Sequence, residues 1–172
     1  MVPKIERILY ATDLSPNSAF AFQHAINYAI KHDARIVILH VFESITTAVR
    51  AHMAFLLDEN QRKKIFDERA RYVLERIKKR LRTFSEKELR GDPKAEDRIE
   101  AIQVCEGFAA DAILEKVDEM KCDVIVMGTH GKGIVANTFL GSVAKQVLRR
   151  SRIPVFVIPL PKGETHITVH DE

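Results

Sequence analysis

The stretch "VIVMGTHGKGIVANTFLGS", residues 124–142, places an apolar run directly before a cluster of glycines. Its first four residues are typical of a strand that is covered on both faces of a parallel sheet. Three glycines follow within six residues, and Gly141 and Ser142 come later with the pattern of a helix start. Because backbone N–H groups at glycines and helix N-termini bind anions, the stretch predicts a phosphate cradle. The structural alternative is a tight turn followed by an ordinary helix.

Short apolar runs alternate with helical patterns along the rest of the chain. Five strands are predicted: Ile5–Ala11, Arg35–Phe42, Arg98–Cys105, Asp123–Gly128 and Ile153–Ile158. Alternating strands and helices are typical of parallel βα units with helices on both faces of the sheet. The sequence therefore predicts an α/β fold, with one open five-stranded parallel sheet that is doubly wound.

Three helices between these strands are predicted from apolar residues that recur every three or four positions. The first has Ser15 as its N-cap and Pro16 at its first position. The second covers residues 107–121 and has Phe108 on its inward stripe, and the third covers residues 141–150. Two further histidines, at positions 24 and 40, are interpreted as core residues with satisfied hydrogen bonds.

One connection, residues 43–97, is much longer than the others. Apolar residues recur every three or four positions from Phe66 to Phe84, which predicts a long amphipathic helix starting near Leu57. We interpret its many charges as a solvated face, with a basic partner-docking surface as the alternative. The predicted domain is residues 1–160 with this helical insertion, followed by a polar tail at residues 161–172.

The composition limits the classes of partner. The 27 basic and 24 acidic residues leave a net charge of +3, which gives little reason to expect nucleic acid as a ligand. No apolar run approaches the length of about 20 residues that spans a bilayer, and the first residues lack a signal-peptide pattern. We expect a cytoplasmic protein that is not bound to a membrane. Its two cysteines, Cys105 and Cys122, are expected to be apolar fillers rather than metal ligands.

Known phosphate motifs fit the glycine stretch poorly. A Walker A loop requires four residues between its glycines and a following GK[ST], and the chain has no such string. Gly131, Gly133 and Ala136 match the dinucleotide fingerprint, but they follow the fourth predicted strand rather than the first. A receiver-type switch is disfavoured because the third strand ends in Cys105 and Glu106 instead of an aspartate.

The spacing that does hold is Gly128-x2-Gly131-x9-Gly141-Ser142. With "ILYATDLS" at 8–15, "VILHVFE" at 37–43 and the closing "IPVFVIP", it resembles the ATP-binding subgroup of the universal stress protein family over about Lys4 to Ile158. The resemblance implies strand order 3-2-1-4-5, as in adenine-nucleotide α-hydrolase-like folds. ATP would lie across the switch point between the first and fourth strands, and Mg²⁺ or Mn²⁺ could bridge its phosphates.

The resemblance also implies a set of binding residues, carried over by position. Ala11, Thr12 and Asp13 would follow the adenosine, with Asp13 near the ribose, and Val41 would meet adenine through its backbone. The remaining implied residues lie toward the ribose and the phosphates: Met127, Gly128, Thr129, Gly131, Gly141, Ser142 and Val143. From its position between the halves of the cradle, Lys132 is a plausible counter-charge for a phosphate, with a solvent-facing loop lysine as the alternative. No metal-ligating residue is predicted.

Two functions remain open at this point. The first is an ATP-binding protein of stress response or signalling, which would form a homodimer through Val155–Ile158 and act on an unidentified protein partner. The second is a slow ATPase or a nucleotidyl-transferring enzyme of the same superfamily. No nucleophile–base pair or carboxylate cluster stands beside the glycines, so the sequence favours binding over catalysis.

Overall fold

The computed structural model describes residues 3–43, 54–88, 97–129 and 140–159. These residues include five strands and four helices of at least nine residues. The strands are β1 (Arg7–Thr12), β2 (Arg35–Glu43), β3 (Ile99–Gly107), β4 (Val124–Gly128) and β5 (Val155–Ile158). The helices are α1 (Pro16–His32), α2 (Glu59–Glu88), α3 (Ala109–Glu119) and α4 (Ser142–Arg150).

The five strands form one parallel sheet in the order β3-β2-β1-β4-β5, which confirms the predicted fold class. β1 lies in the middle of the sheet and pairs with β2 on one side and β4 on the other. β2 and β3 follow β1 on one side of it, whereas β4 and β5 lie on the other side. The strand order therefore reverses at the boundary between β1 and β4. In folds of this kind, ligands bind beyond the carboxyl ends of the strands at that switch point.

Alternating side chains of the central strands form two separate cores. Ile8 and Tyr10 pack against α1 and against Val73 and Ile77 of α2. Leu9 points to the opposite face, where α3 and α4 cover the sheet. Strands that are apolar at successive positions can be covered in this way on both faces, which explains why their sequences show continuous rather than alternating apolar runs.

Helix α1 begins as the sequence predicts. Ser15 has extended backbone geometry, its side chain accepts a hydrogen bond from the N–H of Ser18, and Pro16 occupies the first helical position. At the other end, Asp33 adopts left-handed geometry with φ 55° and closes the helix. The capped start of this helix fixes the end of the loop that follows β1.

The predicted element ends differ from the structure at several places. β3 ends at Gly107, two residues beyond the predicted end at Cys105, so Glu106 lies in the strand. Phe108 was placed on the inward stripe of a helix but stands at the N-cap of α3 and is 74% exposed. The spacing of Phe108 matches the apolar stripe of the helix, but the helix begins one residue later, so its side chain is not held on that stripe. The predicted C-terminal tail at residues 161–172 lies outside the described residues.

Within the described part of the insertion, α2 packs its apolar stripe onto the sheet face shared with α1. Val73 and Ile77 are buried, and Phe66 and Ala70 are half-buried beside them. The neighbouring Phe55 and Leu56 are exposed. No helix among the described residues is long and apolar enough to cross a membrane.

Candidate functional site

A cleft of about 550 Å³ opens beyond the carboxyl ends of β1, β2 and β4. This volume falls in the range of small-molecule sites, roughly 300–1,000 Å³. Residues from α3 and the start of α4 form one wall, and Arg69 of α2 lies on the other side. The cleft thus occupies the switch point at which the topology predicts a ligand.

Most of the residues implied by the sequence line this one cleft, although they are far apart in the chain. They are Ala11, Thr12, Asp13, Val41, Met127, Gly128, Thr129, Gly141, Ser142 and Val143. Gly131 and Lys132 lie outside the described residues. The wall that these residues share also includes Leu39, Ile113 and Ala144, which the sequence analysis did not single out.

The loop after β1 is held by its own side chains. The hydroxyl of Thr12 accepts a hydrogen bond from the N–H of Leu14 at 3.1 Å. One carboxylate oxygen of Asp13, Oδ1, accepts from the N–H of Ser15 at 3.0 Å and from its hydroxyl at 2.6 Å. Short side chains that bond the backbone two residues on are typical of tight turns. Asp13 therefore organises the turn, while Ser15 caps the helix.

Leu14, at the centre of this loop, has left-handed backbone geometry with φ 63°. For a bulky residue without the conformational freedom of glycine, this geometry costs roughly 1–2 kcal/mol. The side chain of Leu14 is buried in the core shared with α1, and the two side-chain turns fix its neighbours. The packing of the Leu14 side chain and the hydrogen bonds of its neighbours thus maintain the strained backbone conformation.

The second carboxylate oxygen of Asp13, Oδ2, is buried and has no hydrogen-bond partner within the part of the chain that the structure describes. A buried acceptor without a donor costs about 1–3 kcal/mol, more when it is charged. Since Asp13 lines the cleft, a hydroxyl or N–H group of a bound molecule could supply the missing donor. This oxygen points to a ligand more directly than any other atom of the site.

His40 ties β2 to the end of β1. Its Nδ1 lies 2.8 Å from the carbonyl oxygen of Thr12, and because a carbonyl only accepts, Nδ1 carries the proton. The ring is buried and also contacts Phe42 edge-on at 5.3 Å. The interpretation of His40 as a satisfied core histidine is confirmed, and the same contact holds the backbone from which Asp13 projects. His24 is half-buried between Phe20 and Tyr28.

The two halves of the predicted cradle meet through one hydrogen bond. The N–H of Gly141 donates to the carbonyl of Thr129 at 2.8 Å, and the N–H of Thr129 donates to Ile158 of β5 at 3.1 Å. The end of β4 and the start of α4 are therefore adjacent, despite the residues between them in sequence. The N–H of Gly141 is used inside the protein, which leaves the first N–H groups of α4 itself as donors toward the cleft.

Helix α4 begins at Ser142 without a side-chain cap, since its N-cap residue is Gly141. The first N–H groups of a helix have no partner within the helix, and the helix dipole makes this end electropositive. Ser142 and Val143, in its first turn, both line the cleft. The start of α4 consequently presents main-chain donors and a hydroxyl to a negatively charged group.

The two described glycines at this edge, Gly128 and Gly141, do not adopt positive φ. Gly128 ends β4 in ordinary strand pairing with Ile158, and it is not among the described residues with positive φ. Gly141 also has negative φ, at −65°. Their contribution is the absence of a side chain next to the cleft, rather than an unusual backbone conformation.

Sequence reasoning missed Arg69. Its guanidinium carbon lies 4.5 Å from the centroid of the Phe42 ring, and the residue lines the cleft. The available signal was its position between Phe66 and Ala70 on the apolar stripe of the helix that follows β2. The charges of this helix were instead interpreted together as a solvated face.

The described metal-ligating side chains and the two cysteine thiols show no sign of a further reactive site. No group of three or more His, Cys, Asp or Glu side chains is arranged to hold a metal ion within the described ranges. Burial raises the pKa of the Cys122 thiol to about 12, and burial also raises that of Cys105. Both cysteines therefore favour the protonated thiol, in agreement with their predicted role as apolar fillers.

Fold and site together define a doubly wound α/β protein with a ligand-sized cleft at its switch point. The model of the universal stress protein family matches residues 4–159. The chain belongs to the universal stress protein family.

Individual relatives agree with this assignment. The universal stress protein MJ0531 of Methanocaldococcus jannaschii is 30% identical over 160 residues, which cover 92% of this chain and 85% of the relative. The solved structure of MJ0577, from the same organism, matches with a TM-score of 0.68 and 25% identity over 92% of this chain and 99% of the other. A universal stress protein from Archaeoglobus fulgidus, solved in complex with dAMP, shares the fold with a TM-score of 0.51, 17% identity and coverage of 88% and 96%.

Proposed function

We propose that this protein binds an adenine nucleotide, ATP in particular, and acts as a nucleotide-dependent module of stress response or signalling. The observation that carries the proposal is a single cleft that holds an unpartnered carboxylate oxygen, Asp13 Oδ2, and an uncapped helix start at Ser142. A nucleotide has hydroxyl donors on its ribose and negative charge on its phosphates, and so it complements both features.

The phosphate end of the site is the start of α4. Ser142 and Val143 supply N–H groups and a hydroxyl, and the helix dipole adds positive potential. Gly128 and Gly141 leave room for phosphate oxygens because they carry no side chain. Gly131 and Lys132, which the family resemblance and their position suggest for the same role, remain part of the proposal on sequence grounds.

The ribose end is Asp13. Oδ1 already accepts two hydrogen bonds from Ser15, which fixes the direction of the carboxylate. A ribose hydroxyl that donates to Oδ2 would satisfy the one buried side-chain acceptor that lacks a partner in the described structure. Hydrogen bonds to a charged acceptor are the stronger kind, worth about 1.5–3 kcal/mol.

The base end is apolar. Leu39 and Val41 of β2 and Ile113 of α3 line the cleft there. A planar base can bury one face against such side chains, and backbone groups beside Val41 can hydrogen-bond its edge. The dAMP bound by the Archaeoglobus fulgidus relative is consistent with a preference for adenine.

Any divalent cation would be held mainly by the nucleotide. The described residues offer no group of three or more ligating side chains for it, and Asp13 is the one carboxylate that lines the described cleft. Mg²⁺ or Mn²⁺ bridging phosphate oxygens therefore suits this site better than a resident metal ion, because Mg²⁺ is commonly bound through substrate phosphates.

The test is thermal unfolding and calorimetry of the purified protein with ATP, AMP and NAD. A ligand at a hundred times its Kd adds about 2.7 kcal/mol of stability, which for a chain of this size raises Tm by roughly 5–11 °C. ATP is expected to produce this shift. An unchanged Tm at millimolar ATP would refute the proposal, and a shift with NAD alone would indicate a dinucleotide site.

A matched pair of variants tests the phosphate end. Ser142→Glu places a negative charge in the first turn of α4, where it should stabilise the empty protein slightly and weaken ATP binding at least tenfold. Gln146→Glu adds the same charge one turn later, at an exposed position that does not line the cleft, and should leave ATP affinity nearly unchanged. Equal losses in both variants would mean that overall charge, rather than the helix start, governs binding.

The same preparation distinguishes binding from turnover. Phosphate or pyrophosphate release over many turnovers, lost in Ser142→Glu and kept in Gln146→Glu, would establish the enzymatic alternative. We expect no more than weak hydrolysis, because the described part of the cleft contains no paired general base and nucleophile.

The proposed assembly is a homodimer through β5. This strand stands at one edge of the described sheet and is apolar throughout, with Val155, Phe156 and Val157 only half-buried. An apolar edge strand is a natural site for pairing with a second copy. Sedimentation velocity should give twice the 19.6 kDa chain mass at micromolar concentration, and a monomer at all concentrations would contradict this assembly.

A further inference from the structure

We propose that Arg69, from the helical insertion, forms a wall of the base end of the cleft and stacks its guanidinium on the bound purine. The inference rests on the proposed nucleotide function, and it assigns to α2 a part in ligand recognition. Arg69 is the one residue of α2 that lines the described cleft.

The position of Arg69 is set by packing. Phe66 and Val73 lie three residues before it and four residues after it, so all three share one face of α2. Val73 is buried in the core, and Phe66 meets the ring of Phe42 edge-on at 6.4 Å. These anchors fix the helix against the sheet and leave Arg69 at the rim, above Phe42.

The guanidinium lies at the β2 side of the cleft, away from the phosphate end. Its carbon is 4.5 Å from the centroid of the Phe42 ring. The start of α4 follows β4, which is two strands away from β2, a separation of roughly 10 Å at the usual strand spacing. A contact with the base is therefore favoured over a contact with the phosphates.

The chemistry of the group fits a purine. A guanidinium is planar, stacks on aromatic faces and carries only hydrogen-bond donors. The guanidinium carbon of Arg69 lies over the Phe42 ring, while the residue itself is exposed and lines the cleft. A purine that enters above Val41 can occupy the second face, which would place the cation between two aromatic rings.

The test compares Arg69→Gln with Arg71→Gln. Arg71 is exposed on the same helix and lies roughly 200° around it from Arg69, so this control removes the same charge on the far side. Affinities for ATP, AMP and adenosine are measured by calorimetry, with weak ligands in competition with ATP. Arg69→Gln should weaken all three by the same factor, about 3- to 30-fold, and Arg71→Gln should change none of them.

Arg69→Lys separates the effect of charge from that of stacking. It also serves as the second variant if Arg69→Gln has a much lower Tm than the wild-type protein without ligand. A lysine keeps the charge but cannot stack flat, so it should restore only part of the affinity. Full affinity in Arg69→Lys, or a loss in Arg69→Gln that is confined to ATP, would overturn the base-stacking role. Unchanged affinity in Arg69→Gln would do the same.

Failure of this inference differs visibly from failure of the proposed function. If the wild-type protein binds ATP and Arg69→Gln binds it equally well, only the role of Arg69 is refuted. If the wild-type protein binds none of the three ligands, the nucleotide function itself is refuted and the role of Arg69 falls with it.

Discussion

The two carboxylate oxygens of Asp13 should contribute separately, one to the stability of the fold and the other to ligand binding. Oδ1 accepts hydrogen bonds from the N–H and hydroxyl of Ser15, whereas Oδ2 has no donor in the described structure. Asp13→Asn keeps an acceptor in the place of Oδ1 and replaces the other oxygen with an amide nitrogen. Asp13→Ala removes both. The two substitutions should therefore have different effects on the empty protein.

The magnitudes follow from these contacts. Hydrogen bonds to a charged group contribute about 1.5–3 kcal/mol each, and since two of them share Oδ1, we expect a loss of about 3 kcal/mol for Asp13→Ala. For a chain of this size, that loss lowers Tm by roughly 6–12 °C. Asp13→Asn should cost less than about 1 kcal/mol, because the turn keeps its acceptor and the unpaired charge is removed.

The affinity for ATP, unlike the stability of the empty protein, should fall clearly in Asp13→Asn. Replacing a charged acceptor by a neutral amide is expected to weaken ATP about tenfold in Asp13→Asn, although the fold is retained. The assays are thermal unfolding without ligand and calorimetry with ATP, and Asp118→Asn, an exposed position at the far end of α3, is the charge-matched control. Equal destabilisation by Asp13→Asn and Asp13→Ala would refute the account of the turn. Unchanged ATP affinity in Asp13→Asn would refute the ribose contact.

Three further predictions concern the scaffold. Tyr10→Phe removes a buried hydroxyl that donates to the carbonyl of Ser18 at 2.5 Å, and it should lower Tm by roughly 2–6 °C in a thermal melt. Asp123→Ala deprives two main-chain N–H groups at the start of β1 of their acceptor, and a urea titration should show a loss of about 2–3 kcal/mol; no change in midpoint would refute that role. In a Cys105→Ser background, Cys122 should resist a thiol reagent at pH 8 until denaturant is added, because burial raises its pKa to about 12. In the unfolded chain the Cys122 thiol has a pKa of about 8.5. The contribution of Cys122 to the free energy of unfolding should therefore be fully present below about pH 8.5 and should fall as the pH rises toward 12, because only the unfolded chain loses the proton in that range.

The sheet was predictable because its determinants are local and repeated. Runs such as Val124–Met127 are apolar at every position, and a capped start such as Ser15-Pro16 is defined by neighbouring residues. The strand order was not available from those patterns alone and came from the family resemblance. Exact ends were less predictable, as Phe108 shows, because helix spacing does not reveal where the chain turns into the helix.

The site was predictable only in part. The position after the first strand was enough to select Asp13, because ligands bind beyond the carboxyl ends of the strands, and the pattern of a helix start selected Ser142. The use of the Gly141 N–H by Thr129 depends on a contact between segments, which spacing does not encode. Arg69 was missed for the same reason, since its neighbours in space are Phe42 and the cleft rather than other residues of its own helix.

The hydrogen bond between Gly141 and Thr129 has a consequence for how this protein tolerates changes in the segment between them. It joins the chain just before and just after residues 130–140, so the core on either side is anchored independently of what that segment contains. The entropy of closing such a segment changes by only about 0.6 kcal/mol when its length doubles. A graft of this segment between relatives, joined at positions 129 and 141, should therefore leave the Tm of the protein nearly unchanged in a thermal melt.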